Sequence, residues 1–236
     1  QTPKQSITQK ETLPCHKTPS SHKEQKKTMT KHSLHQPFLF FLATLLPLIL
    51  TVHSQPSSSS DDSSDFIRTS CSSTLYPDLC FSTLSNFSTS VNNDHALLAR
   101  AAISVTLSKS LDLASYLANA TTLPESHDEG PHPTAAAVFH DCFENLKDAV
   151  DEMRGSMKQM RDLVSTGSVE SFRFQMSNVQ TWLSAALTDE ETCTDGFKDV
   201  KDEPRKEDVC ARVDDVKKLT SNALALVNLC VDKAIH

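Results

Sequence analysis

A chain of 236 residues with 38% hydrophobic content and only four glycines has room for one domain with its own core. The overall charge of −7 hides a split: residues 1–54 carry seven Lys/Arg against two Asp/Glu, whereas residues 55–236 carry 16 against 28, net −12. So acidic a body argues against nucleic acid and anionic membrane as partners, and leaves a basic protein partner or plain solubility.

The first methionine is Met29. Residues 1–28 are polar, basic and without period, a composition that cannot bury a core. They read as translated sequence upstream of the natural start, with a disordered basic arm as the alternative. From Met29, a basic start (Lys31) leads into the 13-residue apolar run Phe38–Leu50 and the small residue Ser54. A bilayer span needs about 20 apolar residues, so 29–54 reads as a secretory signal peptide cut after Ser54. The expected product is secreted, with no membrane contact after signal removal, and begins with a flexible leader over 55–64.

One domain is expected over 65–236: a short helical hairpin over 65–90, then four long helices over 94–236. Phe66 to about Phe87 forms the hairpin, turned at Tyr76-Pro77, with proline at the first helical position of the second arm. Apolar residues at helical spacing mark the four helices that follow. Ile103, Leu107, Leu111, Ala114 and Ala118 give the first and weakest stripe. Phe139, Phe143, Leu146, Val150, Met153, Met157, Met160 and Val164 give the second. Val169, Phe172, Met176, Val179, Leu183 and Ala186 give the third, and Val209, Val213, Val216, Thr220, Ala223, Val227 and Cys230 the fourth. Asp94 and Ser168 suit the N-caps of the first and third. Leu123–Pro133, rich in Pro and Gly, must be a loop, and Asp195-Gly196 is expected to open another that runs to about Pro204. The fold class is all-α, an up-down-up-down four-helix bundle with an N-terminal helical hairpin.

The segment from Thr181 to Phe197, with Trp-Leu-Ser-Ala-Ala-Leu-Thr, a Thr-Cys pair and Asp-Gly-Phe in that order, resembles the plant invertase/pectin methylesterase inhibitor family. The resemblance covers about Asp65 to the C-terminus and implies the same helical layout. The same segment occurs in the pro-regions that precede some pectin methylesterases.

Leaving out Cys15, six cysteines allow 15 full pairings, and a secreted chain makes disulfides the default. Cys71 and Cys80 flank the hairpin turn. Cys142, near the start of the second bundle helix, and Cys193, just past the end of the third, fall at neighbouring ends of antiparallel helices. The family resemblance implies these two links. Cys210 and Cys230 are 20 residues apart, about 30 Å along one straight helix, which excludes a bond between them. Both are expected reduced, with Cys230 buried in the apolar stripe, and a link between two chains is the alternative.

No catalytic, cofactor or metal site emerges. There is no nucleophile elbow or phosphate loop, and no C-x-x-C pair for zinc. Glu129 and His132 have the spelling of a di-iron helix, but Gly130-Pro131 breaks that helix. His140-Asp-Cys142 loses its nucleophile if Cys142 is bonded. Asp141, Glu144, Asp148 and Asp151 form an acidic edge along the second bundle helix, which read by itself is an ordinary solvated face. The resemblance implies partner contacts at Glu144, Asp148, Asp151, Thr192 and Asp195, matched through the Cys-x-Glu-x-x-x-Asp and Thr-Cys-x-Asp frames. Asn86 and Asn119 begin glycosylation sequons.

The function implied is a secreted, non-enzymatic inhibitor whose partner is pectin methylesterase and whose bundle covers that enzyme's substrate cleft in the cell wall. An inhibitor of acid invertase is the first alternative, although Lys201–Glu207 lacks the Phe of the Pro-Lys-Phe element in that branch. A detached pro-region with a chaperone role is the second. No esterase domain follows His236, which makes a stand-alone inhibitor the simpler expectation.

Overall fold

The computed structural model describes Cys15 and residues 58–120, 134–163, 168–200 and 204–235. The expected signal segment, the Leu123–Pro133 loop and most of the 1–28 stretch lie outside the described residues. Every regular element among them is helical. α1 (Ser58–Cys71) and α2 (Pro77–Leu84) form the hairpin, and α3 (Ser88–Val91) follows after a 3-10 turn at Ser85–Phe87. α4 (His95–Ala120), α5 (Ala135–Arg161), α6 (Val169–Gly196) and α7 (Pro204–Ile235) are the long helices. α1 includes residues 58–64, most of the span expected to be flexible.

Local chemistry explains the helix starts. Asp94 Oδ1 accepts from the amides of Ala96 at 2.6 Å and Leu97 at 2.9 Å. Ser168 Oγ accepts from the Ser171 amide at 3.1 Å, and Thr134 Oγ1 from the Ala137 amide at 3.3 Å. Each such cap is worth about 1 kcal/mol. Pro77 opens α2, where its missing N–H costs nothing. Asn92 and Asn93, at φ 46° and 58°, supply the left-handed turn between α3 and α4, a conformation asparagine tolerates better than most residues.

The hairpin is fastened at two points. Cys71 is bonded to Cys80. The buried Asn222 of α7 grips the turn from below, its Oδ1 accepting from the Tyr76 amide at 3.1 Å and its Nδ2 donating to the Tyr76 carbonyl at 3.0 Å.

The expected stripes of α5 and α7 face inward: every described member is buried, apart from the half-buried Phe143. Two stripes are corrected. On α4, Leu111 is 37% exposed, and the inner face runs instead through Ile103, Thr106, Ser110, Leu113 and Leu117. Thr106 and Ser110 can be buried because their hydroxyls donate to the carbonyls of Ala102 at 2.9 Å and Thr106 at 3.0 Å. On α6, Val169 is 57% exposed at the helix start, ahead of the packed region.

α6 also runs further than the Asp-Gly pair implies. Gly196 has φ −57° and remains helical, so Cys193 lies inside the helix rather than past its end. The pull comes from below: Cys193 is bonded to Cys142, and Phe197 is fully buried with its ring edge-on to Phe139 at 4.9 Å.

The core has two parts. One apolar cluster at the hairpin end includes Ile103, Met153, Leu183 and Leu226. The other, around the Cys142–Cys193 link, includes Leu117, Phe139, Phe197 and Val213. Between them α4 contributes Thr106 and Ser110, α6 contributes Glu190 and α7 contributes Thr220, all buried.

Cys230 is a buried free thiol, and burial pushes it up to about 11. Cys210 is not reduced as expected: it is bonded to Cys15, with 5.8 Å between their Cα atoms. The helical-distance argument excludes Cys230 as a partner for Cys210, but it does not exclude a cysteine that approaches from outside the bundle. Cys15 rests against the second core cluster, its sulfur 3.3 Å from the Thr194 carbonyl oxygen. With this bond in place, a cut after Ser54 would leave the N-terminal segment attached through sulfur.

Candidate partner interface

The Cys142–Cys193 bond sets two Cα atoms 4.1 Å apart on α5 and α6. It therefore aligns the two sequence frames that carry the candidate contact residues. Glu144 lies half a turn beyond Cys142, and Thr192 and Asp195 flank Cys193. Asp148 and Asp151 continue from there along α5. From Glu144 to Asp151 is about 10 Å of helix.

All five are exposed, and their charges are unequally compensated. Lys147 Nζ donates to Glu144 Oε2 at 2.7 Å and holds that carboxyl below its ordinary range. Arg154 donates to Asp151 at 2.6 Å, and Lys198 pairs with Asp195 at 2.8 Å. The Thr192 hydroxyl donates to the Thr188 carbonyl at 2.8 Å, which leaves its oxygen free to accept. Asp148 has no hydrogen bond or ion pair among the described residues. It is the bare carboxylate of the edge. Exposed pairs of this kind add under about 1 kcal/mol to stability, so these side chains contribute little to the fold.

Two further acids belong to this face and were not singled out in the sequence. Glu152 of α5 and Asp189 of α6 meet across the seam, next to Asp148. Partial burial, then the Asp189 charge, push Glu152 up to about 7, and burial raises Asp189 as well. Two carboxyls in contact share a proton, because both cannot ionise cheaply. Their signal lay in the Asp151-Glu152 and Asp189-Glu190 doublets, where one acid of each points along the edge of the apolar stripe.

An open groove of about 330 Å³ runs along the other flank of α5, between it and α4. Leu111, Ala114, Phe143 and Val150 floor it, and Lys147, Asp151 and Arg154 rim it. The face thus offers charge beside an apolar recess, the usual anatomy of a protein contact. The two sequon asparagines are both exposed, Asn86 in the turn before α3 and Asn119 at the end of α4.

Behind the face, Lys206 is buried and donates to the Val200 carbonyl at 2.7 Å. This bond ties the turn at Phe197–Asp199 to the start of α7. No helix among the described residues is long and apolar enough to cross a membrane.

The chain belongs to the plant invertase/pectin methylesterase inhibitor family, whose model matches residues 65–226. It is 39% identical over 194 residues to Pectinesterase inhibitor 3 of Arabidopsis thaliana, covering 80% of this chain and 90% of that protein. It is 39% identical over 172 residues to the 21 kDa protein of Daucus carota, covering 72% and 86%. Among solved structures, mutant form A of a pectin methylesterase inhibitor from Arabidopsis superposes with a TM-score of 0.53 at 18% identity, covering 69% of this chain and 95% of that one. At that identity the likeness bears on the fold alone.

Proposed function

We propose that this protein is a secreted, non-enzymatic inhibitor of pectin methylesterase that acts in the cell wall. It presents the face carrying Glu144, Asp148, Asp151, Thr192 and Asp195 to the enzyme and blocks access to the substrate cleft. One observation carries the reading: the Cys142–Cys193 bond holds both motif frames at one end of the bundle, beside an apolar groove. The relatives named pectinesterase inhibitors support the choice of target. Rigid helices present the carboxylates without an ordering cost at binding, which favours affinity. Asn86 and Asn119 are exposed and open to glycosylation, and Asn119 adjoins Ala118, which lines the groove beside the proposed face.

The test is direct. The purified chain is mixed with a pectin methylesterase and, separately, with an acid invertase, and both activities are assayed. Loss of esterase activity alone supports the proposal. Loss of invertase activity alone moves the protein to the other branch of the family. Two unaffected enzymes would leave the inhibitor reading without its target and overturn it.

A further inference from the structure

Glu190 is fully buried at the boundary between the two halves of the core. Its surroundings constrain its protonation. Thr220 Oγ1 lies 2.8 Å from Glu190 Oε1 and 3.1 Å from the Val216 carbonyl oxygen. A hydroxyl has one proton to donate, and both of those oxygens are acceptors when Glu190 is ionised. Both contacts are hydrogen bonds only if Glu190 brings a second proton. The chain is then Glu190 O–H to Thr220 Oγ, and Thr220 O–H to the Val216 carbonyl. The other carboxyl oxygen, Oε2, has no partner and no solvent. A neutral acid's carbonyl oxygen tolerates that at modest cost, whereas a buried carboxylate oxygen does not.

No charge nearby reverses this. On α7, the buried Lys217 favours an ionised Glu190, but it is also drawn towards Asp214, 3.8 Å from its Nζ, and its pull is smaller than the effect of burial. On α6 itself, Asp189 and Glu191 repel a charge on Glu190. On α5, Asp148 and Glu152 bear on Asp189 at the outer side of the seam. α4 turns the hydroxyls of Thr106 and Ser110 to this level, both already engaged with their own helix.

We propose that Glu190 is a proton-held latch: as a neutral acid it donates to Thr220 and joins α6 to α7 where the apolar core is interrupted, and loss of its proton opens that seam. Burial pushes the carboxyl from 4.5 up to about 8, in keeping with the geometry. The sign follows from linkage. The folded value lies above the unfolded one, so the folded state binds the extra proton. Stability is full below the unfolded value and falls as pH rises through the folded value. In that window this one group raises the unfolding constant by about tenfold per pH unit.

The experiment uses the full oxidised chain. The unfolding constant is measured in urea across pH 5 to 8 for wild type and Glu190→Gln. The amide keeps a donor for Thr220 and has no proton to lose. The slope of log unfolding constant against pH is expected to drop by about one proton in the variant, with Glu152 still contributing to both slopes. In parallel, the carbon-13 shift of the Glu190 carboxyl is followed in wild type, where a neutral acid is expected at pH 7. An unchanged slope, or an ionised Glu190 at pH 7, overturns the proposal. If the variant does not fold, the wild-type titration decides alone.

Discussion

The two ends of the molecule are both clamped by disulfides, but the clamps do different work. Cys71–Cys80 spans nine residues of sequence and Cys142–Cys193 spans 51. On the chain-entropy account the short link restricts the unfolded state by about 2.5 kcal/mol and the long one by about 4. The short link shapes a local hairpin that is docked on the bundle by Asn222 and by the buried Ile67, Leu84 and Val91. The long link joins two helices of the bundle directly and fixes their register. A face that must present carboxylates at set spacings is better built on the second kind of constraint, and the candidate contact residues gather there.

The comparison breaks most severely at the long link. Cys142→Ser with Cys193→Ser should lower stability by about 2–5 kcal/mol, read as the urea midpoint, and should abolish inhibition at 37 °C. The same double change at Cys71 and Cys80 should cost less and leave the α5–α6 face intact. Equal losses of inhibition from the two pairs would show that the clamps are equivalent.

A smaller effect probes the hairpin's other fastening. Asn222→Ala leaves the half-buried Tyr76 amide without its partner, while the Tyr76 carbonyl keeps the Cys80 amide at 2.9 Å. Unsatisfied buried groups cost about 1–3 kcal/mol, so the hairpin should undock locally. Hydrogen exchange in α1 and α2 should rise while exchange in α5 and α6 stays slow. Uniform acceleration across all helices would mean that hairpin and bundle unfold as one unit.

Next in size is a change that touches the proposed contact and not the fold. Asp148→Lys replaces the one unpaired carboxylate of the edge. A charge pair that loses water on binding can be worth several kcal/mol, so inhibition should weaken by at least about tenfold, near 1.4 kcal/mol. The melting temperature should barely move, since exposed substitutions stay within about 0.5 kcal/mol. Added salt should weaken the wild-type complex in the same direction. Full inhibition by the variant at low salt would remove Asp148 from the face.

Where the sequence was legible, one physical rule sufficed. α5 and α7 bury apolar side chains at regular steps, and Asp94 and Ser168 cap the helices as their chemistry suggests. It was misread where a second interaction outweighed the first. Thr106 and Ser110 look solvent-facing by residue type, which points the spacing argument to Leu111, but their hydroxyls bond to helix carbonyls and face inward. Asp195-Gly196 looks like a turn, but Phe197 and the Cys193 bond extend the helix through it. Helical spacing bears only on a bond between Cys210 and Cys230, whereas the partner of Cys210, Cys15, lies in a segment with no apolar pattern. At the candidate face, Asp148 was visible as a charge, but Glu152 and Asp189 gain their shared proton only when two distant segments meet. Glu190 was hidden for the same reason: polarity marks it as exposed, and only its contact with Thr220 places it inside.

The smallest expected effect lies in the seam between α5 and α6, where the clamp's register is felt furthest from the sulfurs. Gly155 is helical, and a Cβ there would come 3.3 Å from Cε3 of Trp182, the chain's one tryptophan. Gly155→Ala therefore sets two terms against each other. Alanine favours the helix by about 1 kcal/mol over glycine, and the tight contact asks the indole to give by a few tenths of an ångström. Trp182 is half-buried, so it has room to yield outwards. The net change should stay within about 0.5 kcal/mol, while tryptophan emission shifts as the ring moves. Gly155→Leu removes the balance, because its branched side chain cannot share that space, and overpacking costs about 1–3 kcal/mol. If the leucine variant is as stable as wild type with unchanged emission, the helices are not held at this separation, and the long disulfide does not fix the register of the seam beyond its own end.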